Sequence, residues 1–213
     1  MTTFELSAVK RVLCLGAHSD DIEIGCGGTL LKLIRANPDL EVRWVVFSGK
    51  AARQRETRRS ATFFLQGVLR ATVQTKSFKD GFFPEQWAGI KAEFERTKRA
   101  FDPDLVLTHY REDRHQDHRV LSDLAWNTFR DHLILEYEIP KYDGDLGQPN
   151  VYVTLEHDVC EQKIAGLMQH FATQRNKHWF TPDTFKALLR LRGIECASPT
   201  GWAEAFHGRK IRF

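Results

Sequence analysis

Apolar residues follow two rhythms along the chain. Val12-Leu13-Cys14-Leu15-Gly16-Ala17, Trp44-Val45-Val46-Phe47 and Leu105-Val106-Leu107 are short unbroken apolar runs. Such runs predict strands buried on both faces, the pattern of a parallel sheet. Between them the spacing becomes helical. Leu30, Leu31 and Ile34 share a face in a helix that starts at Thr29, after the glycines at 25, 27 and 28, and ends near Asn37-Pro38. Gln54 to Gln66 predicts a second helix ending at Gly67. Trp87, Ile90, Phe94 and Lys98 recur at helical spacing from Pro84 to Phe101, where Asp102-Pro103-Asp104 stops the pattern, and a further amphipathic stretch runs from about Asp117 to His132. Ala71 to Phe78 alternates as another strand. Leu133 to Ile139 and Val151 to Leu155 predict two more around the turn-rich Tyr142 to Asn150, and Val159 to Phe171 and Asp183 to Leu191 predict two more helices.

Strand and helix alternate from Val12 to His132, which predicts an α/β, Rossmann-like domain over residues 1–213 with a mostly parallel sheet flanked by helices. In such a sheet ligands sit beyond the carboxyl ends of the strands. Composition narrows the class. The 213 residues are 42% hydrophobic and 28% charged, enough for a folded core and incompatible with disorder. Lys and Arg total 31 against 28 Asp and Glu, a net charge of +3, so no nucleic-acid partner is expected. No apolar stretch approaches the roughly 20 residues of a membrane span, and the run at Val12 is too short and too close to Met1 for a signal peptide. The four cysteines form no C-x-x-C pair, which suggests neither a disulfide framework nor a thiolate zinc site and suits free thiols in a cytoplasmic protein. A homo-oligomer is left open.

Two polar clusters follow the first and fourth predicted strands, so they face one crevice. Ala17-His18-Ser19-Asp20-Asp21 offers one imidazole and two carboxylates, and His115-Gln116-Asp117-His118 offers two imidazoles on a loop entering a helix. Nitrogen and oxygen donors without thiolate suit Zn²⁺ in a hydrolytic site, with Fe²⁺, Mn²⁺ or Co²⁺ also acceptable. Either cluster alone is more often a cap or an ion pair on a surface loop than a ligand set. Their joint placement at the ends of buried strands favours a metal site.

Ala17-His18-Ser19-Asp20-Asp21 with the glycine turn to Gly28-Thr29, Arg53-Gln54-Arg55-Glu56, and His115-Gln116-Asp117-His118 together resemble the PIG-L/LmbE-like zinc-dependent de-N-acetylases. That family carries A-H-P-D-D, R-x-x-E and H-x-D-H in this order. The resemblance covers most of the chain, including Asp80-Gly81-Phe82-Phe83-Pro84 and the segment from Asp113 to Asp145, and points to a bacterial subgroup of sugar deacetylases. It implies an LmbE-like fold, a bound Zn²⁺, and removal of acetyl from an N-acetylated sugar or sugar-containing small molecule. It further implies that His18, Asp21 and His118 bind the metal, that Asp20 is the general base, and that a protonated His115 stabilises the oxyanion with Asp117 orienting it. Arg53 and Asp80 match substrate-contacting positions. Ser19 departs from the usual proline, loosening the loop or simply capping the helix. Asp117 reads equally as a helix N-cap.

Other residues have plainer readings. Arg55, Arg58 and Arg59 are expected on a solvated helix face, and Trp87, Phe94 and Trp126 in the core. Trp179 and Trp202 lie in irregular regions, where burial is expected and stacking on a sugar ring is the alternative. The glycine turn fails the dinucleotide fingerprint and instead lets a helix approach the metal loop. The isolated histidines read as surface or packed residues, with a supporting role open for His109 at the end of its strand. Two competing functions remain: a metal-retaining sugar or nucleotide binding module without turnover, and a phosphoesterase, which would hold two metals about 3.5–4 Å apart.

Overall fold

The apolar runs pair into one sheet. In the computed structural model, which describes residues 8–211, strands β1 (Arg11–Gly16), β2 (Glu41–Ser48), β3 (Arg70–Phe78), β4 (Leu105–His109), β5 (Leu133–Tyr137), β6 (Val151–Thr154) and β7 (Ala203–Gly208) stand in the order β3-β2-β1-β4-β5-β7-β6. The first five pair in parallel, with Val12 beside Val42 on one side and Leu105 on the other. β7 then enters antiparallel between β5 and β6. Among the described residues no helix is long and apolar enough to cross a membrane.

Alternate residues of β1 feed two cores. Val12 and Cys14 pack with Trp44, Tyr137 and Phe171 beneath α1 (Asp21–Ala36), α2 (Ala51–Phe64), α5 (His157–His170) and α6 (Pro182–Glu195). Leu13 and Leu15 pack with Val45, Phe47, Phe94 and Leu121 beneath α3 (Trp87–Ala100) and α4 (Gln116–Thr128). Both faces of the sheet are therefore covered, as the unbroken apolar strands require. Because β2 and β4 flank β1 on opposite sides, the chain leaves β1 and β4 toward opposite ends of the sheet. A crevice opens at that switch point, and His18 and His115 both lie at its rim.

Strand β7 is absent from the sequence reading, and Trp87, α4 and α1 also differ from it. Trp87 is 47% exposed, although Ile90 and Phe94 on the same helix are buried. α4 ends at Thr128, short of His132, because Phe129 takes non-helical angles. α1 begins at Asp21, ahead of the glycines, and contains a break at Cys26 (φ −145°). The break strands backbone groups in a buried region, and two side chains take them up. Lys163 Nζ donates to the Ile24 carbonyl at 2.6 Å, and the Gly28 and Thr29 amides donate to the Glu204 carboxylate at 2.7 and 2.6 Å. Lys163 and Glu204 also pair at 2.6 Å and are themselves almost fully buried. A charged pair thus replaces the missing helix hydrogen bonds.

The glycines serve this helix by closeness to its neighbours rather than to the metal loop. A Cβ on Gly25 would stand 2.2 Å from the Tyr137 ring, and one on Gly28 would stand 2.5 Å from Leu155 and 3.0 Å from Glu204. Tyr137 cannot retreat, since its hydroxyl donates to the Leu15 carbonyl at 2.6 Å. Gly25→Ala is therefore expected to destabilise the fold by about 1–3 kcal/mol, read as a drop in melting temperature; an unchanged melting temperature would show that α1 has room to shift.

Candidate metal centre

His18 stands in the turn after β1, Asp20 at the N-terminal boundary of α1 and Asp21 at its first residue. His115 is the N-cap of α4, where its Nδ1 accepts the Asp117 amide at 3.3 Å, and this cap turns His118 inward from the first helical turn. Asp117 is thus not the cap. Nor is Ser19, whose buried hydroxyl has no hydrogen-bond partner.

His18, His118 and Asp21 converge. His18 Nδ1 faces His118 Nε2 at 3.1 Å, and Asp21 Oδ2 lies 3.4 Å from the first and 3.7 Å from the second. Four ligands held tetrahedrally around Zn²⁺ would stand about 3.3–3.5 Å apart, given Zn–N and Zn–O bonds of about 2.0–2.2 Å. The outer edges of both rings are already engaged. His118 Nδ1 donates to Asp113 Oδ2 at 2.9 Å, and His18 Nε2 faces Asp117 Oδ2 at 3.2 Å and Asp80 Oδ1 at 3.1 Å. With protons on those outer nitrogens, the inner nitrogens present lone pairs to each other and to a carboxylate oxygen. That arrangement repels unless a cation lies among them, so these three residues fit a divalent metal.

The charges agree. Burial would lower the His18 pKa, but Asp21, Asp117 and Asp80 outweigh it and hold the ring well above its ordinary value. Burial would likewise raise Asp21, yet His118, His109 and His18 hold it well below the usual carboxylate range. His118, buried beside His109, is pushed down to about 3 and stays a neutral donor at physiological pH. The carboxylates around His18 thus call for a cation at the centre, which the ring's own second proton supplies until a metal displaces it, while His118 already offers a neutral nitrogen.

Around it lies a cavity of about 840 Å³ that includes His18, Asp20, Asp21, Arg53, Asp80, His115 and His118 in its lining. Asp20 is buried, and burial raises its pKa despite the Arg53 charge. Arg53 Nη2 donates to Asp20 Oδ1 at 2.6 Å, while its Nη1 donates to Glu56 Oε2 and to Thr173 Oγ1, both at 3.1 Å. Glu56 in turn accepts from the Thr173 amide and hydroxyl at 2.9 and 2.7 Å. Arg53 thus holds Asp20 while lining the cavity where the sequence expects it to meet a substrate. Asp80 is exposed over the cavity with one oxygen turned to His18.

Asp117 does not orient the His115 side chain. Its carboxylate accepts the Gly81 and Phe83 amides at 2.7 and 3.1 Å and faces His18, which fixes the loop after β3 against the centre. His115 is also not poised as an imidazolium. Burial and the nearby His18 lower its pKa, and the amide hydrogen bond at Nδ1 selects the neutral tautomer with its proton on Nε2.

The sequence did not single out Asp113, and allowed only a supporting role for His109. His109 is fully buried, stacks on His118 at 3.9 Å between centroids, and places Nε2 3.2 Å from Asp21 Oδ2. Asp113 binds His118 and pairs with Lys141 Nζ at 2.9 Å, and Lys141 reaches on to Asp145. Asp113→Ala is expected to weaken metal affinity about 10–100-fold, measured by competition with a chromogenic chelator; unchanged affinity would show that His118 needs no carboxylate behind it.

Among known proteins, residues 13–129 match the PIG-L family, GlcNAc-PI de-N-acetylase. YaiS, an uncharacterized deacetylase of Escherichia coli K12, is 28% identical over 183 residues, covering 76% of this chain and 90% of that protein. The N,N'-diacetylchitobiose deacetylase of Pyrococcus horikoshii superposes with a TM-score of 0.69 at 21% identity, over 94% of this chain and 84% of that one. GalB, the 4-carboxy-2-hydroxymuconate hydratase of Pseudomonas putida KT2440, superposes at 0.74 with 18% identity, over 96% and 98%. These two structures share the fold.

Proposed function

The chain belongs to the PIG-L family of de-N-acetylases, and from this premise we propose that it hydrolyses the acetyl amide of an N-acetylated sugar or sugar-containing small molecule with the help of a bound Zn²⁺. The observation that carries the reading is the convergence of His18 Nδ1, His118 Nε2 and Asp21 Oδ2 beside the buried carboxylate of Asp20. The relative YaiS is a deacetylase by name, and the Pyrococcus enzyme acts on diacetylchitobiose. Their resemblance to this chain supports the substrate class.

His18, Asp21 and His118 would hold the metal, with Fe²⁺, Mn²⁺ or Co²⁺ acceptable to the same donors. When bound, such an ion acidifies a water and polarises a carbonyl oxygen. The protein supplies the proton traffic. Arg53 anchors Asp20 through Oδ1, leaving Oδ2 to take the proton of the attacking water, and the raised pKa of Asp20 suits a base that must later give it up. The water oxygen bonds to the amide carbon while His115 donates its Nε2–H to the developing oxyanion as a neutral ring. The C–N bond then breaks, the proton passes from Asp20 to the leaving nitrogen, and acetate and a free amine are released. Buried, unbridged Cys14, Cys26, Cys160 and Cys196 support a cytoplasmic setting.

A primary-amine assay over N-acetylated monosaccharides, nucleotide-sugars and glycosides tests the proposal. Release that stops on chelation and returns with Zn²⁺ is the expected result. Silence with one metal bound would favour a binding module, and two metals per chain would favour a phosphoesterase.

A further inference from the structure

Among the described residues, the mouth of the cavity carries three cations that no carboxylate pairs. Lys50 precedes α2, Lys79 follows β3 and Lys177 precedes α6, and all three line the cavity and are exposed. The other cations there are spent: Lys141 bridges Asp113 and Asp145, and Arg53 holds Asp20 and Glu56. Aromatic faces, not carboxylates, hold two of the free three. Lys79 Nζ stands 3.4 Å from the centroid of Phe82, and Lys177 Nζ 5.2 Å from that of Trp179. Among the lining carboxylates, Asp20 is engaged by Arg53, Asp21 by the imidazoles and Asp80 by His18. That leaves exposed Asp143 against three ammoniums.

We infer that this mouth selects acetylated sugars bearing a negatively charged group, phosphate or carboxylate, which Lys50, Lys79 and Lys177 receive while the acetyl amide lies beside Asp20. The inference rests on the deacetylase reading for its substrate. Three cations from three separate loops converge on one opening, an arrangement that draws in an anion and orients it as it arrives. Trp179, half-buried beside Lys177, offers a flat apolar face to the sugar ring next to its charged group.

The experiment compares kcat/KM for N-acetylglucosamine 6-phosphate and N-acetylmuramic acid with that for neutral N-acetylglucosamine, in the parent protein and in K50Q/K79Q/K177Q. One acidic substrate is expected to be preferred by about tenfold or more, with the preference falling as salt rises and vanishing in the triple variant, while turnover of the neutral sugar is unchanged. Which acid wins distinguishes phosphate from carboxylate. Equal kcat/KM for acidic and neutral sugars overturns the inference and leaves the deacetylase intact. Calorimetric binding of glucosamine 6-phosphate against glucosamine reads the mouth without turnover. If no sugar is deacetylated yet the phosphate binds tighter in a lysine-dependent way, the mouth stands and the deacetylase reading falls; equal binding of the two amines overturns the mouth.

Discussion

Asp20→Asn is expected to lower kcat by about 10²–10⁴-fold, the range typical of a lost general base, while metal content stays at the parent level. The substitution keeps the shape of the side chain and an oxygen for Arg53, but it removes the group that can accept a proton at Oδ2. Asp20 lies outside the triangle of His18, Asp21 and His118 proposed to hold the metal, so metal should still be retained. Arg53 keeps Glu56 and Thr173, which guards against unfolding as the trivial cause. Turnover measured together with metal analysis decides the matter. Parent-like turnover would remove Asp20 from proton transfer, and loss of metal along with activity would place it among the ligands.

Lys163→Met is expected to destabilise the protein by about 3–5 kcal/mol, the usual penalty for breaking a buried ion pair from one side. It strands the Glu204 carboxylate in the core and leaves the Ile24 carbonyl without its donor. In a chain of this size each kcal/mol shifts the melting temperature by roughly 2–4 °C, so the change is large and easily read. The double variant Lys163→Met with Glu204→Gln should recover part of the loss, because no net charge then stays buried. A single variant that melts like the parent would show that the break in α1 is held by something other than this pair.

The convergence of His18, Asp21 and His118 was legible in the sequence because they follow apolar runs that read as buried parallel strands. His18 and His118 lie one hundred residues apart, yet their places just after two predicted parallel strands put them at one crevice. Asp113 was not legible, since an aspartate in a polar loop looks the same whether it faces water or an imidazole. His109 was hidden for the opposite reason, as it closes an apolar strand where a packed histidine is the ordinary reading. The start of α1 was misplaced because three glycines signal a loop wherever no distant side chain repairs the backbone. β7 was missed for the same cause: its Glu204 contradicts a buried strand until Lys163, 41 residues away, is brought beside it. Arg53 and Asp117 show a further boundary. Motif resemblance found both positions, but which group each one touches is settled only by folding.

The repair of α1 has a consequence in time. Gly28 and Glu204 are separated by 176 residues, so the helix that carries Asp20 and Asp21 stays incompletely bonded until β7 has been made and seated. Contacts of such range form late and slow the search for the native state. Truncation ahead of β7 should therefore leave α1 open at its break and the side chains of His18, Asp21 and His118 less firmly gathered, so that β7 acts as a latch on the helix.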